Sequence, residues 1–379
     1  MPPPDDISLL LIIFMLPFLF GAGIYVFFFR RKLHKKGGWQ LLLQGNLLIF
    51  LMLASLFLLA GESYYRFIYD DTDSFALTNS TNRWILRYYK TNNRNFRDSE
   101  DYSPSCPADK VRITFLGDSF TVGHGIKDVE QRFTNLVRRQ NPGFEVQVLA
   151  GNGMDTGPQL KMVKGLQQQG IELQYVVLVY CLNDLSDIVP EYRQVLDRIY
   201  EHEPGYLFYN SYFLNTLYYR WVAFSDPDIK NFYQFTLEAY QNQVWEKQKQ
   251  RLTDLRDLVE AQGAELLVVT FPFIHALGKD YNYAQVHQQL DAHWDSLHVP
   301  HLDLLGTYQG LTAEELRVNM YDAHPNERAH AMAAEAIGAF VNSHLEENPH
   351  GEVLIEEAAA PADAGAGLGD AKAGQQQPR

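Results

Sequence analysis

Two uncharged apolar stretches near the amino end constrain this chain more than any other feature. Residues 7–29 (ISLLLIIFMLPFLFGAGIYVFFF) carry no charge. About 20 apolar residues suffice to cross a bilayer as a helix. Residues 39–60 (WQLLLQGNLLIFLMLASLFLLA) form a second stretch, with Gln40, Gln44 and Asn46 in its first half. Between the two lies RRKLHKKGG, which holds five Lys/Arg. Basic loops stay on the cytoplasmic side. Residues 1–61 are therefore expected to form a two-span hairpin with both ends outside. A cleaved signal peptide would carry its basic cluster before the apolar run, and here the cluster follows the first run. A lipoprotein would want a cysteine after LLAG, and this chain has Glu62.

The rest of the chain is acidic, and the whole carries Asp+Glu 46 against Lys+Arg 32. Phosphate backbones need a basic face, so nucleic acid is excluded as the main partner. Cys106 sits in a polar loop and Cys181 ends an apolar run. A disulfide is open to an exported domain, but one exposed thiol and one core thiol is the expected reading. Neither belongs to a metal-ligand spacing.

Residues 62–109 are polar and aromatic with little period, and are expected to pack as a juxtamembrane segment on the domain that follows. Short apolar runs then recur at 111–116, 145–150, 173–180, 264–271 and 299–304. Near-continuous apolar runs suit parallel strands covered on both faces. Amphipathic stretches between or after them, at 128–140, 157–169, 283–295 and 326–345, suit helices. The alternation predicts a doubly wound, flavodoxin-like three-layer α/β domain of about five parallel strands over residues 110–346. Residues 190–248 interrupt it with a tyrosine-rich stretch, expected to be a helical aromatic insert. That insert is either an ordinary aromatic core or a wall beside a site. Residues 347–379 turn to Ala, Gly, Gln and Pro and are expected to be disordered.

Sites in doubly wound sheets form at the carboxyl ends of strands. The first strand runs into Gly117-Asp118-Ser119, with Gly123 and His124 after it. A serine there projects its hydroxyl into the crevice, although a polar turn would read the same. The α/β-hydrolase elbow is excluded, because glycine should stand where Thr121 stands. The second strand leads into Gly151 and Gly153, and the third into Asn183-Asp184. Asn183 is either an amide donor or an Asx turn. Asp322-Ala323-His324 precedes Pro325 and the last helix. A carboxylate-held imidazole is the base that a hydroxyl nucleophile needs, and a helix-entry histidine is the plainer alternative.

Taken together, these blocks resemble the SGNH/GDSL hydrolase family in order and spacing over about residues 110–345. The chain looks like a membrane-anchored, bacterial-type member. The resemblance implies Ser119 as nucleophile, His324 as base and Asp322 as its orienting acid. It implies an oxyanion hole from the Ser119 N–H, the Gly153 N–H and the Asn183 side chain. Asp118, His124 and Asp184 are expected to touch substrate. Two departures stand out. Cys181-Leu182-Asn183-Asp184 replaces the usual Gly-x-Asn-Asp, and Asp322-Ala323-His324 is one residue shorter than Asp-x-x-His.

The implied chemistry is cleavage of acyl esters through an acyl-Ser119 intermediate, with no metal or organic cofactor. An O-acyltransferase acting on an exported polysaccharide or cell-envelope glycan would use the same residues, in company with a multi-span membrane partner. A non-catalytic, membrane-tethered binding protein would have no need of an intact set. The catalytic domain is expected on the periplasmic or cell-surface side.

Overall fold

A computed structural model describes residues 7–34, 38–192, 194–195 and 204–348. Nearly all of the expected disordered tail lies outside them, as does part of the insert. Strands β1 (Val111–Gly117), β2 (Phe144–Ala150), β3 (Tyr175–Cys181), β4 (Glu265–Phe271) and β5 (His301–Asp303) form one sheet. Their order is β2-β1-β3-β4-β5, and every pairing is parallel. This is the flavodoxin-like order that the apolar runs predict. Neighbours β1 and β3 are reached by chain excursions in opposite directions, so a crevice opens at their carboxyl ends.

The strand composition explains the layering. All seven residues of β3 are buried, which requires cover on both faces. Ile113, Phe115, Val177, Leu178, Leu267 and Val268 make the centre of the core. Helices Phe133–Gln140, Thr156–Gln168 and Ala284–Ser296 take up the expected amphipathic stretches. Helix Gln243–Glu260 is one continuous element that packs on Thr156–Gln168 and β4. It belongs to the α layer, so among the described residues the insert's own helices end at Ala239.

Helices α1 (Ile7–His34) and α2 (Trp39–Ser63) pack against each other. Phe18, Leu19, Phe50 and Phe57 are each more than 60% exposed. Apolar surface on this scale marks a lipid or protein contact. By length and composition both helices can cross a membrane.

The end of α2 is fixed to the insert by a buried charge. Glu62 accepts from the Ser211 hydroxyl at 2.6 Å and from the N–H groups of Tyr212 and Phe213 at 3.2 and 3.1 Å. It thereby satisfies the open amino end of helix Tyr212–Ser225. Arg66, one turn on, pairs with Glu62 at 2.7 Å and donates to the Asn210 carbonyl. A side chain at Gly61 would stand 2.7 Å from the Phe213 ring, so the close approach of the two helices requires glycine there.

Residues 69–76 then run as a non-helical strap to α3 (Asn79–Tyr88), which Thr78 caps through the Thr81 N–H. Near the other end of the chain, β6 (Arg317–Asn319) and β7 (Asp322–Pro325) form a small antiparallel ribbon. The final helix, Glu327–Glu347, follows it. Residues up to Phe340 make one compact unit. From Val341 a second, small unit is described only to Asn348. Cys106 and Cys181 are both free thiols, and Cys181 is buried.

Candidate active site

The turn after β1 is built for a protruding hydroxyl. Gly117 ends the strand, and a Cβ there would meet Thr121 Oγ1 at 2.1 Å and the Val179 carbonyl at 3.0 Å. Asp118 caps the short helix Ser119–Val122 by accepting from the Phe120 N–H at 2.8 Å. Gly123 closes that helix at φ 72°. Arg97 holds the outgoing loop by donating to the Val122 and Gly123 carbonyls at 3.1 and 2.6 Å. Ser119 is thus the first residue of a helix, its hydroxyl free to face the crevice.

His324 Nε2 lies 2.8 Å from Ser119 Oγ, and His324 Nδ1 lies 2.5 Å from Asp322 Oδ1. The short Asp-x-His spacing has a structural reason. Asp322 and His324 lie in β7, and in an extended strand residues i and i+2 share a face. The two side chains therefore meet without the extra residue that a helical or turn linkage needs.

Burial alone would raise the Asp322 carboxyl. The neighbouring His324 charge, the His324 N–H, His124 and the Thr72 hydroxyl hold it well below the usual carboxylate range instead. For His324, burial opposes the charged imidazolium, but the Asp322 charge and hydrogen bond lift its pKa above the ordinary value. His124 differs. Its ring centroid is 4.6 Å from that of His324, and burial together with the His324 charge lowers its pKa to about 4. It is neutral at pH 7 and its Nε2 faces the Asp73 carbonyl at 3.2 Å. His124 forms part of the cleft wall, and His324 is the ring against Ser119.

The cleft has a volume of about 620 Å³. Ser119, His124, Gly153, Asn183 and His324 all line it. Gly153 sits at φ 66°, a left-handed conformation that favours glycine. Asn183 Nδ2 donates to Asp118 Oδ2 at 3.4 Å, a long contact. Two expectations need correction. Asp118 and Asp184 are fully buried and line no part of the cleft. Asp118 is spent on the Phe120 cap and on Asn183. Asp184 accepts from Gln159 at 3.1 Å, and burial with the Asp118 and Asp155 charges pushes its carboxyl well up. Both are framework beneath the floor.

His124, Asp322 and His324 offer ligand atoms within 4.8 Å of one another, a spacing a cation can bridge. His324 spends one nitrogen on Asp322 and the other on Ser119, so a metal there would remove the base.

The strap's part in this site was not foreseen from sequence. The Thr72 hydroxyl donates to Asp322 Oδ2 across 250 positions of chain. The Ser74 hydroxyl accepts from the Ala323 N–H at 2.8 Å, and Asn319 Nδ2 donates to the Thr72 carbonyl at 3.1 Å. Ser74 and Phe75 also line the cleft. The only local signal is the acid and hydroxyl run Asp70–Ser74, and it names no partner.

No protein-family model and no curated protein sequence matches this chain. Among solved structures, TesA aligns with TM-score 0.39 at 13% identity, over 61% of this chain and 98% of its own. The psychrotrophic esterase EstA from Pseudoalteromonas sp. aligns with TM-score 0.38 at 13% identity, over 62% and 98%. An extracellular lipase from Streptomyces rimosus aligns with TM-score 0.40 at 14% identity, over 62% and 99%. Fold and site together describe an α/β protein with a serine–histidine–aspartate relay at its sheet's carboxyl edge. Function is read from that geometry.

Thr72→Val is expected to lower kcat about tenfold, the scale of one hydrogen bond to a charged group, and Thr72→Ser to restore it. Relieved of one donor, Asp322 should hold the His324 proton more tightly. The base must be neutral to act, so the acid limb of kcat/KM should move to higher pH in Thr72→Val. Unchanged kcat and pH profile would show that Thr72 does not position the aspartate.

Proposed function

We propose that this chain is a membrane-anchored serine hydrolase of the SGNH/GDSL type that cleaves acyl esters outside the cytoplasm. The observation that carries the reading is the continuous relay from Ser119 Oγ through His324 to Asp322. Such a relay lets a weak hydroxyl lose its proton as it attacks. His324 Nε2 takes the proton from Ser119 Oγ as the oxygen bonds to the ester carbonyl carbon. Negative charge develops on the carbonyl oxygen. The Ser119 N–H, the Gly153 N–H and the Asn183 amide are its proposed donors. Collapse of the intermediate breaks the ester bond, and His324 returns the proton to the departing alkoxide. Water, activated by the same imidazole, then releases the acid from Ser119.

An O-acyltransferase would share every step except the last, with a sugar hydroxyl in place of water. A second chamber adjoins the cleft and would leave room for such an acceptor. Hydrolysis ranks first because it requires only the residues at hand and water. The anchor supports an extracytoplasmic domain, through the basic stretch between two apolar helices.

Ser119→Ala is expected to abolish turnover of an activated acetyl ester with the fold intact. Asn183→Ala should reduce kcat about 100- to 1000-fold with little change in KM, because a donor to developing charge acts in the transition state. Full activity in Ser119→Ala would overturn the nucleophile, and a change confined to KM would make Asn183 a turn residue. A periplasm-dependent reporter fused after Lys110 should be active, and a cytoplasm-dependent one silent. The reverse result would refute the topology.

A further inference from the structure

A second chamber of about 340 Å³ adjoins the catalytic cleft. Ser74, Phe75, Tyr233, His275 and Ala323 line both. The Tyr233 and His275 rings pack at 3.7 Å between centroids within that common wall. The strap, the insert and the β6–β7 ribbon all contribute to the chamber, so it lies outside the five-stranded core.

Its wall carries positive charge. Arg220 and Arg317 line it in a chain of net charge −14. Arg220 donates to the hydroxyls of Tyr65 and Tyr69 at 2.9 and 3.1 Å, and its guanidinium lies 3.8 Å from the Tyr321 ring centroid. A guanidinium has five N–H donors, and the two tyrosine hydroxyls occupy only part of that set. Among the described residues no carboxylate forms an ion pair with Arg220. The chamber's own carboxylate, Asp73, is spent on the N–H groups of Phe75, Leu77 and Thr78 and on two threonine hydroxyls. Arg317 is bound to the exposed Glu314 at 3.2 Å, and still adds charge at the chamber wall. Tyr69, Tyr219 and Tyr233 supply aromatic surface, and Asn319 and Thr216 supply polar groups.

Phe75, Leu77, Ala223, Phe224 and Met320 make much of the wall apolar, but a purely apolar chain would offer nothing to the Arg220 guanidinium. It would strip water from Arg220 and give nothing back. An anionic group would engage the guanidinium fork, while a ring beside it would lie against tyrosine. We propose that the chamber is a subsite for an acidic sugar unit of the substrate, its carboxylate or phosphate held by Arg220 with support from Arg317, while the ester-bearing part reaches Ser119. The assignment of substrate rests on the ester-cleaving reading of the neighbouring cleft.

Binding separates the two claims from each other. Full-length Ser119→Ala protein in detergent is titrated calorimetrically with a short oligo-uronate, with its carboxyl-reduced neutral counterpart, and with a sugar phosphate. One of the two acidic ligands should bind at least about tenfold more tightly than the neutral one, and Arg220→Gln should remove that advantage. Preference for the uronate assigns a carboxylate, and preference for the sugar phosphate assigns a phosphate. Arg220→Lys should retain part of the affinity, since it keeps the charge and loses the fork. If Arg220→Gln does not melt as a folded protein, Arg317→Gln replaces it, with a several-fold loss expected. Equal binding of acidic and neutral ligands overturns the proposal, and so does parental affinity in the folded arginine variant. Failure of the ester reading would show itself separately, as absence of 4-nitrophenyl acetate turnover in the unsubstituted enzyme.

Discussion

The Asp322 carboxylate is the group on which the rest of the site depends. It is fully buried, and an ionised carboxylate out of water is costly unless its oxygens are occupied. Oδ1 receives the His324 ring N–H and the His324 backbone N–H. Oδ2 receives the Thr72 hydroxyl, with His124 Nε2 at 3.6 Å. That arrangement requires three things at once. The strand β7 must be extended, the strap must lie along the ribbon, and the loop after Ser119 must bring His124 inward. His324 is therefore held, through Asp322, by a strap that follows shortly after the second apolar helix.

That connection gives the region between α2 and the α/β domain a structural part. Arg83 donates to the Tyr65, Arg66 and Tyr69 carbonyls and so holds the exit from α2. Glu62 and Arg66 bind the same exit to the insert. Thr72 and Ser74 then bind to the aspartate–histidine ribbon. A flexible tether would leave the α/β domain free to turn, whereas this series of buried contacts sets its orientation on α2. The second chamber lies among the same elements, so part of the cleft's surroundings is assembled from segments that follow α2.

Strands β1 to β4 were legible because each is a short apolar run that suits a sheet buried on both faces, whereas β5 holds one apolar residue, Leu302, and is only partly buried. Ser119 and His324 were legible because their blocks sit at strand ends in a recognisable order. Asp322 was named as the orienting acid from the resemblance, and the backbone supplies the reason for its contact with His324, since a spacing of two residues places side chains together in a strand and apart in a helix. Asp118 and Asp184 were misjudged for a related reason. A carboxylate beside a catalytic residue in sequence looks like a substrate contact, yet here both turn inward under the floor. Thr72 and Arg220 were not legible at all, because their partners are distant in sequence and hydroxyl or aromatic residues carry no motif. The insert was readable as aromatic and helical, but its boundary with helix Gln243–Glu260 was not, since both stretches are helical.

Covalent capture of the nucleophile tests the central claim most directly. A fluorophosphonate ester mimics the tetrahedral intermediate and reacts only with a serine activated by a neighbouring base. The full-length protein, treated with such a reagent and digested, should yield one adduct by mass spectrometry, on the peptide that contains Ser119. Labelling should be lost in His324→Ala and slowed in Asp322→Asn. Absence of any adduct in the folded protein, or an adduct on a different serine, would contradict the account.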